Sequence, residues 1–154
     1  MLKLFLSLAL FLPALSNRST PDTIDKDVLL RLVNDVRKKG CNCGGTDMPP
    51  VPALTWNDLL EKAAAGHSKD MQQKDYFNHK GRDGRDAGDR IRAAGYNWSA
   101  YGENIAFNDG DEAAVIEGWL GSPPHCKAIM SGLYKEVGVA RAGAYWTQDF
   151  GTKK

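Results

Sequence analysis

The 154-residue sequence has almost no net charge, few cysteines and a single long hydrophobic run. That run, residues 4–12, is well short of the roughly 20 apolar residues that a membrane-spanning helix needs. A lysine precedes it, and Pro13 and the Ala-Leu-Ser pattern of residues 14–16 follow it. We therefore predict a secretory signal peptide over residues 1–16, a short extension over 17–22, no stable membrane anchor and an exported protein, either secreted or periplasmic.

The balance of charges argues against a nucleic-acid partner. The chain has 20 Lys and Arg and 19 Asp and Glu, and the predicted signal peptide removes one lysine. Phosphate attraction to basic residues supplies most non-specific nucleic-acid affinity, and no basic run is present. The sequence also lacks G-x-S-x-G, H-E-x-x-H and a phosphate-binding glycine loop, which excludes several common hydrolases and nucleotide-binding proteins.

Only three cysteines occur, at Cys41, Cys43 and Cys126. In an exported protein this number favours one disulfide and one free thiol. A bond between Cys41 and Cys43 would close a very short, strained ring. We therefore expect one of this pair to bond Cys126, a crosslink that would contribute about 2 to 4 kcal/mol of stability. The spacing alone does not decide which of the two it is.

The order of predicted elements indicates an α+β fold. Apolar residues recur every three or four positions over residues 23–39, which predicts an amphipathic helix that ends at Gly40. The Gly- and Pro-rich residues 41–53 are predicted to form a loop, and a second helix is predicted to follow Asn57 as its N-cap. Residues 137–151 resemble two strands joined by a tight turn. An antiparallel sheet is favoured because the predicted helices come first, most predicted strands come late, and strands and helices do not alternate.

Several motifs, in order along the chain, resemble one family. They are LTWNDLLEKAAAGHSKDM, YFNHKG, YGENIA, WLGSPPHCKAIM and YWTQDFG. Together they resemble the bacterial branch of the CAP superfamily, whose SCP domain also occurs in cysteine-rich secretory proteins and plant pathogenesis-related proteins. The resemblance covers about residues 27–151 and implies a single domain over residues 23–152. It implies an α-β-α sandwich in which helices flank a small antiparallel sheet.

The resemblance also implies a set of cleft residues. The family's cleft is lined by two histidines and two acidic residues, which in some members hold a divalent metal. By motif, these positions are His79, Glu103 and His125, and zinc is the metal that we consider. The second acidic residue would follow Trp119, but Leu-Gly-Ser stands there, so the fourth position is missing. Ser122 is also among the predicted cleft residues.

The same resemblance implies the disulfide pairing. In related sequences a single cysteine precedes a glycine before the LTWN segment, as Cys43 does here. A Cys43–Cys126 bond with Cys41 free is therefore implied.

Although Cys126 follows His125, adjacent side chains on a helix point about 100° apart, so the two do not form a nucleophile and base.

Physical chemistry suggests roles for the cleft residues. His125 is predicted to lie in the first turn of a helix, where the helix dipole disfavours an added proton and favours the neutral imidazole that binds zinc. Glu103 either completes a three-ligand set with His79 and His125 or holds a histidine N–H from behind. His67, on an apolar helix face, is predicted to be a hydrogen-bonded structural residue.

Three functions remain open at this point. The leading hypothesis is a non-enzymatic binding module, whose target the resemblance suggests to be a lipid, sterol or other small hydrophobic molecule, a cell-envelope component or another protein. The second is a metal-dependent hydrolase in which His79 and His125 bind the metal and Glu103 activates water. The third is a structural secreted domain whose polar cleft residues only join loops.

Overall fold

The computed structural model describes residues 23–154. The predicted signal peptide (residues 1–16) and extension (residues 17–22) lie outside the described residues. The helices are α1 Lys26–Lys39, α2 Asp58–Gln73, α3 Ala87–Ala93, α4 Glu112–Leu120 and α5 Pro123–Ile129. The strands are β1 Cys41–Cys43, β2 Thr46–Met48, β3 Thr55–Trp56, β4 Trp98–Phe107, β5 Glu136–Ala142 and β6 Tyr145–Lys153.

Helix α1 begins later than predicted and ends where the sequence indicates. Asp25 caps it, because its carboxylate accepts the Val28 N–H at 3.0 Å, which satisfies one of the unpaired donors of the first turn. Gly40, with φ of 75°, ends the helix, as predicted for a glycine free to adopt positive φ. The apolar face of the helix buries Leu29 and Val33.

The prediction that residues 41–53 form only loop is wrong for the first part of that stretch. Strands β1 and β2 pair as an antiparallel hairpin. Gly44 and Gly45 connect them with φ of 62° and 90°, and a two-residue turn with positive φ at both positions is a favoured hairpin connection. The double glycine was therefore a hairpin signal.

The main sheet has the strand order β3-β5-β6-β4. Strands β4, β6 and β5 pair antiparallel, and Gly143 with φ of 56° lies in the turn between β5 and β6. The two-residue β3 pairs parallel to β5, so the sheet departs from a purely antiparallel arrangement at one edge. The fold class is α+β, as predicted.

The two faces of the sheet are covered by different helices. One face, which includes Trp146 of β6, forms the larger apolar core with side chains of α1, α4 and α5, among them Trp119 and Ile129. On the other face α2 lies so close that a Cβ on Gly138 of β5 would fall 2.1 Å from the backbone nitrogen of Glu61. Because α2 is held this tightly, its C-terminal end fixes where the loop carrying His79 begins.

Two further predictions concern helix starts and membrane spans. Asn57 caps α2 and accepts the Leu59 N–H at 2.9 Å, as predicted. Within residues 23–154, no helix combines the length and the apolar character needed to cross a bilayer.

The predicted Cys43–Cys126 disulfide is present, and Cys41 is free. It joins β1 to α5, two elements separated by 83 residues in the chain. Both bonded sulfurs lie in a small apolar cluster with Met130. The helix that carries His125 is thereby tied to the hairpin.

Candidate functional site

Strand β4 lies at the edge of the sheet, and two of its consecutive residues hold the two cleft histidines. Successive side chains of a strand point to opposite faces, so Glu103 and Asn104 reach in opposite directions. Glu103 accepts a hydrogen bond from His79, and Asn104 donates one to the backbone oxygen of His125 at 3.2 Å. This alternation brings a loop after α2 and the start of α5 to the same edge of the sheet.

His79 is oriented by Glu103, which is in turn held by Arg90 of α3. Nδ1 of His79 donates to Oε1 of Glu103 at 2.8 Å, and Nη2 of Arg90 donates to Oε2 at 2.5 Å. The Glu103 side chain is 3% exposed and that of His79 is 55% exposed. The His79 and Arg90 partners hold the pKa of Glu103 below its ordinary value although burial opposes this, so the carboxylate is charged at neutral pH.

A second acidic side chain lies behind Glu103. Asp149 of β6 faces Glu103 directly across the sheet and is fully buried. Burial first and the negative charge of Glu103 second raise the pKa of Asp149 well above its ordinary value. Neither of its carboxyl oxygens has a hydrogen-bond partner within residues 23–154. Burial therefore disfavours the charged form of Asp149, and this residue does not line the cavity.

His67 is structural, as the sequence indicates. Its ring is 1% exposed, and Nε2 lies 3.0 Å from the backbone oxygen of Asn78. Burial is the main cause that lowers its pKa, so the neutral ring donates its Nε2–H to that oxygen. The contact anchors the residue immediately before His79.

His125 lies in the first turn of α5 and is half-buried. Burial lowers its pKa below the ordinary value of 6.5, and His79 lowers it further. The direction agrees with the predicted neutral imidazole. His125 therefore offers an uncharged ring to the cleft.

Ser122 occupies the N-cap position of α5, but its side chain makes no capping hydrogen bond. Pro123 and Pro124 follow it and supply no backbone N–H at the first two helical positions, which removes one of the two usual partners of a capping oxygen. The helix therefore begins after Ser122 without a side-chain cap. The residue lies on the cleft wall together with His125.

The two histidines line one cavity of about 480 Å³, a size typical of small-molecule sites. Its lining is mainly apolar, and the large apolar side chains in it are Phe77, Ile105, Phe107, Val115 and Trp119. Phe77 and Phe107 are 50% and 61% exposed, which is unusual for phenylalanine in a folded domain. The cleft thus combines a mainly apolar lining with five polar side chains, those of Asn78, His79, Asn108, Ser122 and His125.

The arrangement does not match a three-ligand metal centre. Both oxygens of Glu103 are engaged, one by His79 and one by Arg90, and Glu103 does not line the cavity. Within residues 23–154, the one group of three or more His, Cys, Asp or Glu side chains whose ligand atoms lie within 4.8 Å of one another consists of the three cysteines. Of the two roles predicted for Glu103, the geometry corresponds to holding a histidine N–H and not to completing a three-ligand set.

Sequence reasoning missed Arg90, Asn104 and Asp149. Asn104 lies in the GENIA motif, directly after Glu103. Asp149 lies in the YWTQDFG motif and pairs with Glu103 in the sheet. The strand alternation of GENIA alone would have placed Asn104 opposite Glu103. Arg90 lies in the family-like segment DRIRAAGY, residues 89–96. Its pairing with Glu103 could not be predicted locally, because the two residues lie on different elements.

Comparison with known proteins agrees with this geometry. Residues 30–150 match the model of the CAP family, described as the cysteine-rich secretory protein family. The chain belongs to this family. The predicted resemblance to the CAP family is confirmed.

Bacterial proteins are among the relatives of this CAP domain. It is 37% identical over 97 residues to the uncharacterized membrane protein YlbC of Bacillus subtilis, covering 63% of this chain and 28% of YlbC. An extracellular protein containing a SCP domain from Bacillus anthracis superposes with a TM-score of 0.74 at 30% identity, covering 82% of this chain and 40% of that one. The chain thus spans well under half the length of both.

A second solved structure shows the fold alone. An outer surface protein from Borrelia burgdorferi superposes with a TM-score of 0.71 at 21% identity, covering 83% of this chain and 92% of the other.

Proposed function

We propose that this protein is an exported, non-enzymatic binding module whose cleft takes a small amphipathic molecule of lipid or sterol type. The cavity carries the proposal, because its walls are mainly apolar and also present the polar side chains of His79, Ser122 and His125. An apolar body would lie against Phe77, Phe107 and Trp119. The predicted signal peptide and the extracellular Bacillus anthracis relative support export.

These polar side chains of the cleft would bind the ligand's head group. The pKa of His125 is lowered mainly by burial, so its neutral ring offers one donor and one acceptor. Because Nδ1 of His79 is bonded to Glu103, the Nε2 atom is left for contacts in the cleft. Two imidazoles and the Ser122 hydroxyl suit a hydroxyl or carboxyl head group.

The held position of Glu103 favours binding over hydrolysis. A general base must be within reach of the proton that it removes. Glu103 is 3% exposed and accepts hydrogen bonds at both oxygens, so it acts as a support for His79. We therefore favour a binding function over a metal-dependent hydrolase.

Filling the cavity tests the proposal. Gly118 of α4 lines the cleft, and a Cβ there would meet only Asn108 Nδ2 at 4.0 Å. Gly118→Leu should therefore enter the cavity without a backbone clash, and it should stabilise α4 by about 0.5 to 1 kcal/mol through helix propensity. We expect it to weaken binding of the fluorescent fatty acid cis-parinaric acid and of the fluorescent sterol dehydroergosterol at least tenfold.

Gly66→Leu is the matched control. Gly66 lies within α2, away from this cavity, and a Cβ there would meet nothing within 4 Å. This variant should bind both fluorescent molecules as the wild type does. If the wild type binds neither molecule, or if Gly118→Leu retains full affinity with an unchanged fold, the cleft does not serve apolar ligands.

A further inference from the structure

The three cysteines converge on one point of the structure outside the cleft. Sγ of the free Cys41 lies 3.6 Å from Sγ of Cys126 and 3.8 Å from Sγ of Cys43. Cys41 and Cys43 are two residues apart in β1, and side chains at this spacing point to the same face of a strand. The free thiol is therefore in contact with both sulfurs of the disulfide.

The surrounding structure holds these sulfurs together independently of which pair is bonded. A Cβ on Gly44 would fall 2.4 Å from Cγ of Pro123, so the hairpin turn lies directly against the first residue of α5. The sulfurs also share an apolar cluster with Met130 and Met48. Because both candidate bonds to Cys126 join the same strand to the same helix, changing one for the other requires side-chain rotation rather than movement of elements.

We propose that these three residues form a thiol–disulfide exchange site in which the bond to Cys126 passes between Cys43 and Cys41. The Cys41 thiol loses its proton to solvent, and its side chain rotates until Sγ lies opposite Sγ of Cys43 across Sγ of Cys126. The thiolate then attacks Sγ of Cys126 along that line. The Cys41–Cys126 bond forms as the Cys43–Cys126 bond breaks, and Cys43 leaves as a thiolate that takes up a proton. One disulfide and one thiol are present before and after, so no oxidant or reductant is consumed.

The three cysteines differ in how accessible they are to reagents in solvent. Cys43 and Cys126 are 0% and 1% exposed, whereas Cys41 is intermediate. A low-molecular-weight disulfide from solvent therefore meets Cys41 first. Burial raises the pKa of the Cys41 thiol, which limits the thiolate that starts the exchange, and we expect exchange in minutes to hours.

Disulfide mapping of the wild-type protein tests exchange directly. Protein purified without reductant is held at pH 8 for a day, quenched with acid and digested with pepsin at low pH, which stops further exchange. Mass spectrometry should find both the Cys43–Cys126 and the Cys41–Cys126 linkages, with the second increasing over time. Finding only Cys43–Cys126 at every time point overturns the proposal.

Single serine variants provide a second test through the intact mass of the folded protein. After oxidation with glutathione disulfide, the intact mass should show an internal disulfide, with no glutathione attached, in Cys41→Ser and in Cys43→Ser, and no internal disulfide in Cys126→Ser. Circular dichroism establishes that each variant is folded. A folded Cys43→Ser variant that forms no internal disulfide would show that Cys41 does not reach Cys126, and the proposal fails.

Discussion

Replacing Glu103 by glutamine tests whether one buried carboxylate orders the cleft. Its side chain is 3% exposed and bonds His79 at 2.8 Å and Arg90 at 2.5 Å. Glutamine keeps the shape but carries no charge, so the Arg90 guanidinium, itself 9% exposed, loses its ionised partner. The substitution removes charge without creating a cavity.

The expected loss follows from the two bonds. A hydrogen bond to a charged group is worth about 1.5 to 3 kcal/mol, and breaking a buried ion pair from one side costs about 3 to 5 kcal/mol. Because glutamine retains one acceptor oxygen, we expect Glu103→Gln to lower the free energy of unfolding by about 2 to 4 kcal/mol. The melting temperature should fall by roughly 4 °C for each kcal/mol in a domain of this size.

The assay is chemical and thermal unfolding at pH 7, with Glu117→Gln as the matched control. Glu117 is exposed on α4, so its substitution should change stability by less than about 0.5 kcal/mol. A Glu103→Gln loss below about 1 kcal/mol would refute the view that this carboxylate organises the site.

The pH dependence of the same variant supplies an internal check. The folded pKa of Glu103 lies below its ordinary value of 4.5, so its contribution to stability is fully present above about pH 4.5. It is lost as the pH falls through the folded pKa. The difference in stability between the wild type and Glu103→Gln should therefore narrow below pH 4.5, and a difference that widens there would contradict the assigned charge state.

Two other buried groups lead to further predictions. Arg37 is 1% exposed and donates to four backbone carbonyls. Arg37→Met should therefore lower the free energy of unfolding, measured in urea, by about 3 to 5 kcal/mol. The control Arg31→Met, on the exposed face of α1, should lower it by less than about 1 kcal/mol. Burial keeps the folded pKa of His67 below 6.5, so the unfolded chain binds more protons there and stability should fall as the pH drops below about 6.5. His67→Gln should flatten this slope between pH 7 and pH 5, and an unchanged slope would show that His67 does not cause it.

Local sequence patterns determined the helices and the residues that end them. The three- to four-residue apolar period, Asn57 and Gly40 act through neighbours in the chain, so their effect could be predicted directly. The double glycine at residues 44–45 is also a local signal, although it was missed. The cleft histidines and the disulfide were found through the resemblance of whole motifs.

Only the tertiary structure decided what each site residue does. Glu103 meets His79 from 24 residues away and Arg90 from 13, and Asp149 reaches the same place through strand pairing. Whether Glu103 binds a ligand or supports a histidine depends on which groups occupy its two oxygens. Sequence spacing carries no information on that occupancy, because it is set by how the sheet and α3 pack together.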